Sequence, residues 1–207
     1  MAQITTGLRA ILSDARVYQW LQDLLGKHSR QHLIDRYVRP SPGQLLLDVG
    51  CGTGEISRYL PEGVRYIGVD MSSKYIDQAK ARHGDRGRFV CSSLSDVDFR
   101  QLASPDIILA KGLLHHLDDD EAIELFRQAA AVLRPGGRMV TIDPCIVPTA
   151  HPVARWIIAH DRGQNVRSPQ EYAALAKQVF ESVHLSQRND LLRLPYNHAI
   201  LECGVAS

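Results

Sequence analysis

The run Leu45-Leu46-Leu47-Asp48-Val49-Gly50-Cys51-Gly52-Thr53-Gly54 is a short apolar strand that passes directly into three glycines at alternate positions. Glycine alone combines wide backbone freedom with a bare surface, so a ligand can lie directly against such a turn. Asp70 closes a second apolar segment, Tyr66-Ile67-Gly68-Val69, 20 positions after Gly50. That spacing suits a carboxylate accepting hydrogen bonds from ribose hydroxyls. Together the two features point to a nucleoside-containing cofactor at the carboxyl ends of parallel strands. Dinucleotide sites use G-x-G-x-x-G, with a pyrophosphate on the helix N-terminus. Here the third glycine arrives one residue early and Glu55 follows it, a carboxylate that repels pyrophosphate at a helix start. Asp48 is equally awkward beside phosphates and well suited to an ammonium or sulfonium.

The elements that must position these groups alternate. Strands are expected over 45–49, 65–70, 88–91, 105–110 and 138–143, with helices from about 55, 72 and 118 between them. Asp118, Asp119, Asp120 and Glu121 favour the positive end of the third of these helices, and Leu133-Arg134-Pro135-Gly136-Gly137 stops it. Ser168-Pro169-Gln170-Glu171 opens another helix with a capping box, and strand-like runs near 182–189 and 196–204 close the chain. The rhythm predicts a doubly wound, mostly parallel α/β sheet. Ahead of it, Val17, Trp20, Leu21, Leu24 and Leu25 recur at helical spacing, as do Leu33, Ile34, Tyr37 and Val38 until Pro40 and Pro42. Residues 1–40 are thus expected to form a helical cap over the strand ends, and 41–207 the main domain. The connection over 144–167 is long and punctuated by Pro148, Pro152 and Gly163, which marks it as functional.

Composition bounds the partners. The 207 residues carry a formal net charge of +1, 44% hydrophobic and 23% charged residues, as in a soluble globular protein. With 6% aromatic residues and no basic stripe, nucleic-acid binding has no support, and no apolar run is long enough to span a membrane. The basic N-terminal stretch reads as a solvated helical face. Cys51, Cys91, Cys145 and Cys203 lack C-x-x-C spacing, so buried reduced thiols are expected, with no metal site and a cytoplasmic setting. An exposed Trp156-Ile157-Ile158 would suggest a homodimer.

The glycine turn with Asp48 before it and Asp70 after it, the segment Pro105-Asp106-Ile107-Ile108-Leu109-Ala110-Lys111-Gly112-Leu113-Leu114-His115-His116-Leu117, and Leu133-Arg134-Pro135-Gly136-Gly137 resemble the class I S-adenosylmethionine-dependent methyltransferases in order and spacing. The resemblance covers residues 45 to 143, and the flanking tracts are similar to a bacterial small-molecule subgroup. It implies a Rossmann-like, seven-stranded sheet with the last strand antiparallel and an N-terminal helical lid. It implies S-adenosyl-L-methionine as cofactor, S-adenosyl-L-homocysteine as product, and cofactor contacts from Asp48, Gly50, Cys51, Gly52, Gly54, Asp70, Met71, Ser93, Leu94 and Ala110. Tyr18 is the N-terminal aromatic that would close over the cofactor. After strand three the family commonly has Gly-Asp-Ala, whose Asp holds the adenine amino group; Ser93 stands there instead, without charge assistance. No Pro-Pro-Tyr motif of nucleobase or glutamine amine methyltransferases follows strand four.

Methyl transfer from a sulfonium is an in-line displacement, so the protein contributes positioning and exclusion of water. A hydroxyl acceptor also needs a base, and His115, His116, Asp143 and His151 are the candidates, with His160 behind them. Arg155 and Arg162 are candidates for an anion clamp, or for surface ion pairs. The expected activity is O-methylation of a small-molecule acceptor. Two other readings are a non-catalytic adenosylmethionine-binding regulatory module and, less favoured by the turn, a nicotinamide-dependent oxidoreductase.

Overall fold

The computed structural model describes residues 30–93, 96, 104–152, 155, 158, 165–191 and 196–205. Strands β1 (Leu45–Val49), β2 (Arg65–Asp70), β3 (Arg88–Cys91), β4 (Ile107–Lys111), β5 (Arg138–Pro144), β6 (Ser182–Arg188) and β7 (His198–Gly204) form one sheet in the order β3-β2-β1-β4-β5-β7-β6. β1 to β5 pair in parallel, and β7 runs antiparallel to both β5 and β6. This is the expected Rossmann-like sheet with its last strand reversed.

Every residue of β1 is buried, because both faces of the sheet are covered. On one face Leu47, Val49, Ile108, Ala110 and Met139 pack against helices α2 (Asp119–Val132) and α3 (Pro169–Ala176), through Ala122, Phe126, Ala129 and Tyr172. On the other, Leu46, Ile107, Leu109, Val140 and Ile142 meet α1 (Ser73–His83) and the segment Leu33, Ile34, Tyr37 and Val38. The helix starts are chemically specified. Asp118 accepts from Glu121 N at 2.9 Å while Asp118 N donates to the Glu121 carboxylate at 3.1 Å, and Ser168 with Glu171 repeats the box before α3.

Two local expectations change. The helix expected from about 55 is a 3₁₀ turn, Glu55–Tyr59, because Ser57 N reaches back three residues to Gly54 O and Pro61 soon forbids a longer helix. The segment Ile34–Val38 is π-helical and ends at Arg39, whose φ of 45° lies in the left-handed region. Its apolar residues fill the sheet-face core rather than lying only over the strand ends. Of the cysteines, all four are free as expected, but Cys91 is exposed. Ile158 is buried, with Trp156 and Ile157 outside the described residues. Among the described residues no helix is long and apolar enough to cross a membrane.

The close packing behind the glycine turn is testable. A Cβ on Gly54 would sit 2.5 Å from the Phe89 ring and 3.2 Å from Ala79, at a φ of +74°. Gly54→Ala is therefore expected to destabilise the protein by about 3 kcal/mol, from left-handed strain plus overpacking. A urea melt within about 1 kcal/mol of the parent would show that the turn is looser than drawn.

Candidate functional site

The turn after β1 holds Gly50, Gly52 and Gly54 at φ values of 76°, 55° and 74°. Gly50 N and Cys51 N donate to Val69 O at 2.8 and 3.0 Å, which ties the turn to the end of β2. A Cβ on Gly52 would meet nothing within 4 Å, so this glycine presents an open face. Gly52 N donates to one oxygen of Asp70 at 2.9 Å and Ser72 N to the other at 2.8 Å. The carboxylate is thereby fixed in orientation, and each oxygen keeps lone-pair capacity for a further donor. Burial and the nearby Asp48 and Asp70 charges push the Cys51 thiol far up, so it stays protonated. Glu55 turns toward α1, pairing with His83 at 3.3 Å, so its carboxylate braces the helix instead of repelling a ligand at the turn.

Met71, directly after Asp70, is 57% exposed, an apolar side chain at the strand ends and not a core filler. Ser93 Oγ donates to the Asp96 carboxylate at 2.7 Å, and Asp96 N returns a bond to Ser93 Oγ. An acidic group therefore stands beside the position where the family's Asp is missing, supplied from three residues downstream. Ala110 is fully buried at the end of β4. Tyr18 and Leu94 lie outside the described residues, as do His160 and Arg162.

Asp48 is buried at 2% exposure and accepts a 2.7 Å hydrogen bond from the Tyr66 hydroxyl. Burial raises its carboxyl from 3.8 to about 6, against the lowering effects of Tyr66 and Lys111. A carboxyl raised in this way favours folding while protonated, a contribution present below 3.8 and lost as pH rises to about 6. Above that the buried charge costs up to about 3 kcal/mol in the unliganded protein. Asp48→Asn keeps an acceptor for Tyr66, so it is expected to raise stability by up to about 3 kcal/mol at pH 8 and by much less at pH 4. Equal gains at both pH values in thermal melts would place the cost elsewhere.

His115 and His116 lie in a 3₁₀ turn, Leu114–His116, just past β4. The His115 ring is buried, and its Nδ1 lies 2.9 Å from Asp143 Oδ1 near the end of β5. His115 N donates to the same oxygen at 3.3 Å. The His116 ring, half-buried, stacks on His115 with centroids 4.0 Å apart. Asp143 Oδ2 is buried without a hydrogen-bond partner among the described residues. His151 instead stays exposed on the connection after β5, as does Arg155, whose amide donates to His151 O.

Sequence reasoning missed the residue that holds this turn. Arg167 is buried, and its guanidinium donates to Leu114 O at 3.1 Å, to Leu117 O at 2.9 Å and to the Asp119 carboxylate at 2.7 Å. Asn165 N adds a bond to His115 O at 3.0 Å. A lone Arg ahead of a capping box carries no local signal for that task. Tyr66 was missed for the same reason, since its partner Asp48 stands on the neighbouring strand 18 positions away.

Residues 46–137 match the family model for a methyltransferase domain. The chain is 37% identical over 127 residues to 27-O-demethylrifamycin SV methyltransferase of Amycolatopsis mediterranei, covering 56% of this chain and 46% of that protein. It is 29% identical to phosphoethanolamine N-methyltransferase 3 of Arabidopsis thaliana, covering 72% of this chain and 31% of that protein. It thus spans about a third to a half of the length of these relatives. The fold superposes on phosphoethanolamine N-methyltransferase 2 of Haemonchus contortus, solved with S-adenosyl-L-methionine, with a TM-score of 0.75, 14% identity, and coverage of 98% of this chain and 60% of that one. A turn that suits a nucleoside, an oriented carboxylate after β2 and the strand order all agree with these likenesses: residues 46–137 match a methyltransferase domain, and the fold is the one these methyltransferases share.

Proposed function

We propose that the protein transfers the methyl group of S-adenosylmethionine to a hydroxyl of a small-molecule acceptor, with His115 as the general base and Asp143 as the group that orients it. The observation that carries this reading is the 2.9 Å bond between His115 Nδ1 and Asp143 Oδ1 at the ends of β4 and β5. With Asp143 accepting at Nδ1, the imidazole is held as the tautomer whose basic nitrogen is Nε2, the one that takes the acceptor's proton. The glycine turn, Asp70 and Met71 hold the nucleoside; Ser93 with Asp96 receives the adenine edge. The bound cofactor supplies the electrophilic methyl, and the chain aligns the acceptor oxygen, excludes water and removes the proton.

A nitrogen acceptor is the second reading, favoured by the Arabidopsis relative's name as an N-methyltransferase. The deciding experiment incubates the protein with methyl-labelled cofactor and matched panels of small phenols, alcohols and amines. Label in hydroxyl acceptors supports the proposal. Label only in amines moves the reaction to nitrogen, and tight S-adenosylhomocysteine binding without transfer to any panel favours a non-catalytic binding module.

A further inference from the structure

The 3₁₀ turn that carries His115 and His116 does little to hold itself. His116 N donates to Leu113 O at 3.0 Å and Leu117 N to Leu114 O at 3.1 Å, and bonds of this kind have poor geometry. The chain enters the turn through Gly112 at a φ of 65°, a residue with no side chain to fix the approach. The direction of the His115 ring is therefore set from outside the turn.

Arg167 supplies most of that outside support. A guanidinium has five N–H donors, and here every one has an acceptor. Nη1 donates to Leu114 O and Asn165 O, both at 3.1 Å. Nη2 donates to Leu117 O at 2.9 Å and to Asp119 at 2.7 Å, and Nε to Asp119 at 2.9 Å. The two turn carbonyls flank the histidine pair, and Asn165 N holds His115 O between them. The buried Tyr172 ring lies 5.5 Å from the guanidinium carbon. The backbone of the same residue reaches the other partner of the pair: Arg167 O accepts from Ile146 N at 3.0 Å, just past Asp143. Arg167 thus spans from the strand bearing Asp143 to the turn bearing His115. Its side chain is 9% exposed and that of Asp119 69%, so solvent weakens the attraction that offsets burying the cation. A side chain that only filled this space would do so at less cost uncharged.

We propose that Arg167 is a positioning residue for the transfer, fixing the His115 turn against β5 so that Nδ1 meets Asp143 and Nε2 is left for the acceptor. The inference rests on the reading of His115 as the base, and its test starts without an acceptor.

Two-bond proton–nitrogen NMR spectra of histidine-labelled protein report which imidazole nitrogen carries the proton, and loss of a signal in His115→Gln assigns His115. The parent is expected to show His115 protonated at Nδ1 alone when the ring is neutral. Arg167→Lys keeps the charge but offers three donors without the planar fork, and should give a mixture of both tautomers. With a hydroxyl acceptor from the panel above, kcat should fall about tenfold to 100-fold and the acceptor KM change by no more than about threefold. Val132→Ala, at the last residue of α2, serves as a control that lowers stability and leaves the His115 spectrum as in the parent. A folded Arg167→Lys protein with the parent His115 spectrum would overturn the proposal, as would the same spectral change in Val132→Ala. If Arg167→Lys does not fold, Asp119→Ala, which removes an exposed anchor of the same guanidinium, decides in its place: an unchanged His115 spectrum overturns the proposal, and a mixture of tautomers supports it. Turnover that survives His115→Ala would instead sink the reading of His115 as the base.

Discussion

His115→Ala is expected to lower turnover with a hydroxyl acceptor by about 10²–10⁴-fold, the usual contribution of a positioned general base, while S-adenosylhomocysteine affinity changes by no more than about threefold. The separation follows from position. His115 is anchored to Asp143 near the end of β5, whereas the residues proposed to hold the nucleoside stand at the ends of β1, β2 and β3. Asp143→Asn should give a loss of similar kind, because the amide can offer an N–H to Nδ1 and so favour the wrong tautomer. It also spares the protein the uncompensated buried carboxylate that His115→Ala leaves behind. Between them the two variants distinguish chemistry from folding. Full turnover in His115→Ala, with the loss appearing in His116→Ala, would transfer the role of base to the neighbouring ring.

The second large effect concerns Asp70. Asp70→Ala should weaken S-adenosylhomocysteine about 100-fold, or about 2.7 kcal/mol, the scale of one or two hydrogen bonds from ribose hydroxyls to an ionised acceptor. The same change frees Gly52 N and Ser72 N, which the carboxylate now holds at 2.9 and 2.8 Å, so part of the loss is disorder in the turn itself. Asp70→Asn isolates the ribose contribution, since its one carbonyl oxygen can keep only part of this bonding. Unchanged affinity in the alanine variant by calorimetry would remove Asp70 from the cofactor site.

How much of this was legible in the sequence depends on where each signal resides. β1, β2 and the glycine turn were readable because burial on both faces forces a continuous apolar run and a positive φ calls for glycine. α2 and α3 announced themselves through capping boxes, which are local chemistry. The 3₁₀ turn at Glu55–Tyr59 and the π-helical Ile34–Val38 were not readable, since apolar spacing over five residues fits several helical forms. At the site, the two histidines and Asp143 were candidates on residue type alone. That Asp143 contacts His115, 28 positions earlier in the chain, depends on β4 and β5 being neighbours. Arg167 had no local mark at all: it is defined by two carbonyls and a carboxylate gathered from elsewhere in the chain. The pairing of Glu55 with His83, 28 positions later, was likewise set by the packing of α1 and not by local spacing.

The placement of β7 between β5 and β6 has a consequence for how the protein is made. β6 leaves the ribosome before β7, the one strand it pairs with among the described residues, and β5 waits on the same segment for its second edge. Until residues 198–204 emerge, a nascent chain carries two unsatisfied strand edges, the kind of surface that invites pairing with other chains. At about 5–20 residues per second the delay between β6 and β7 is of order a second. A chain cut short before His198 would lose the register of two strands rather than one, and would be expected to aggregate instead of persisting as a smaller, partly active protein.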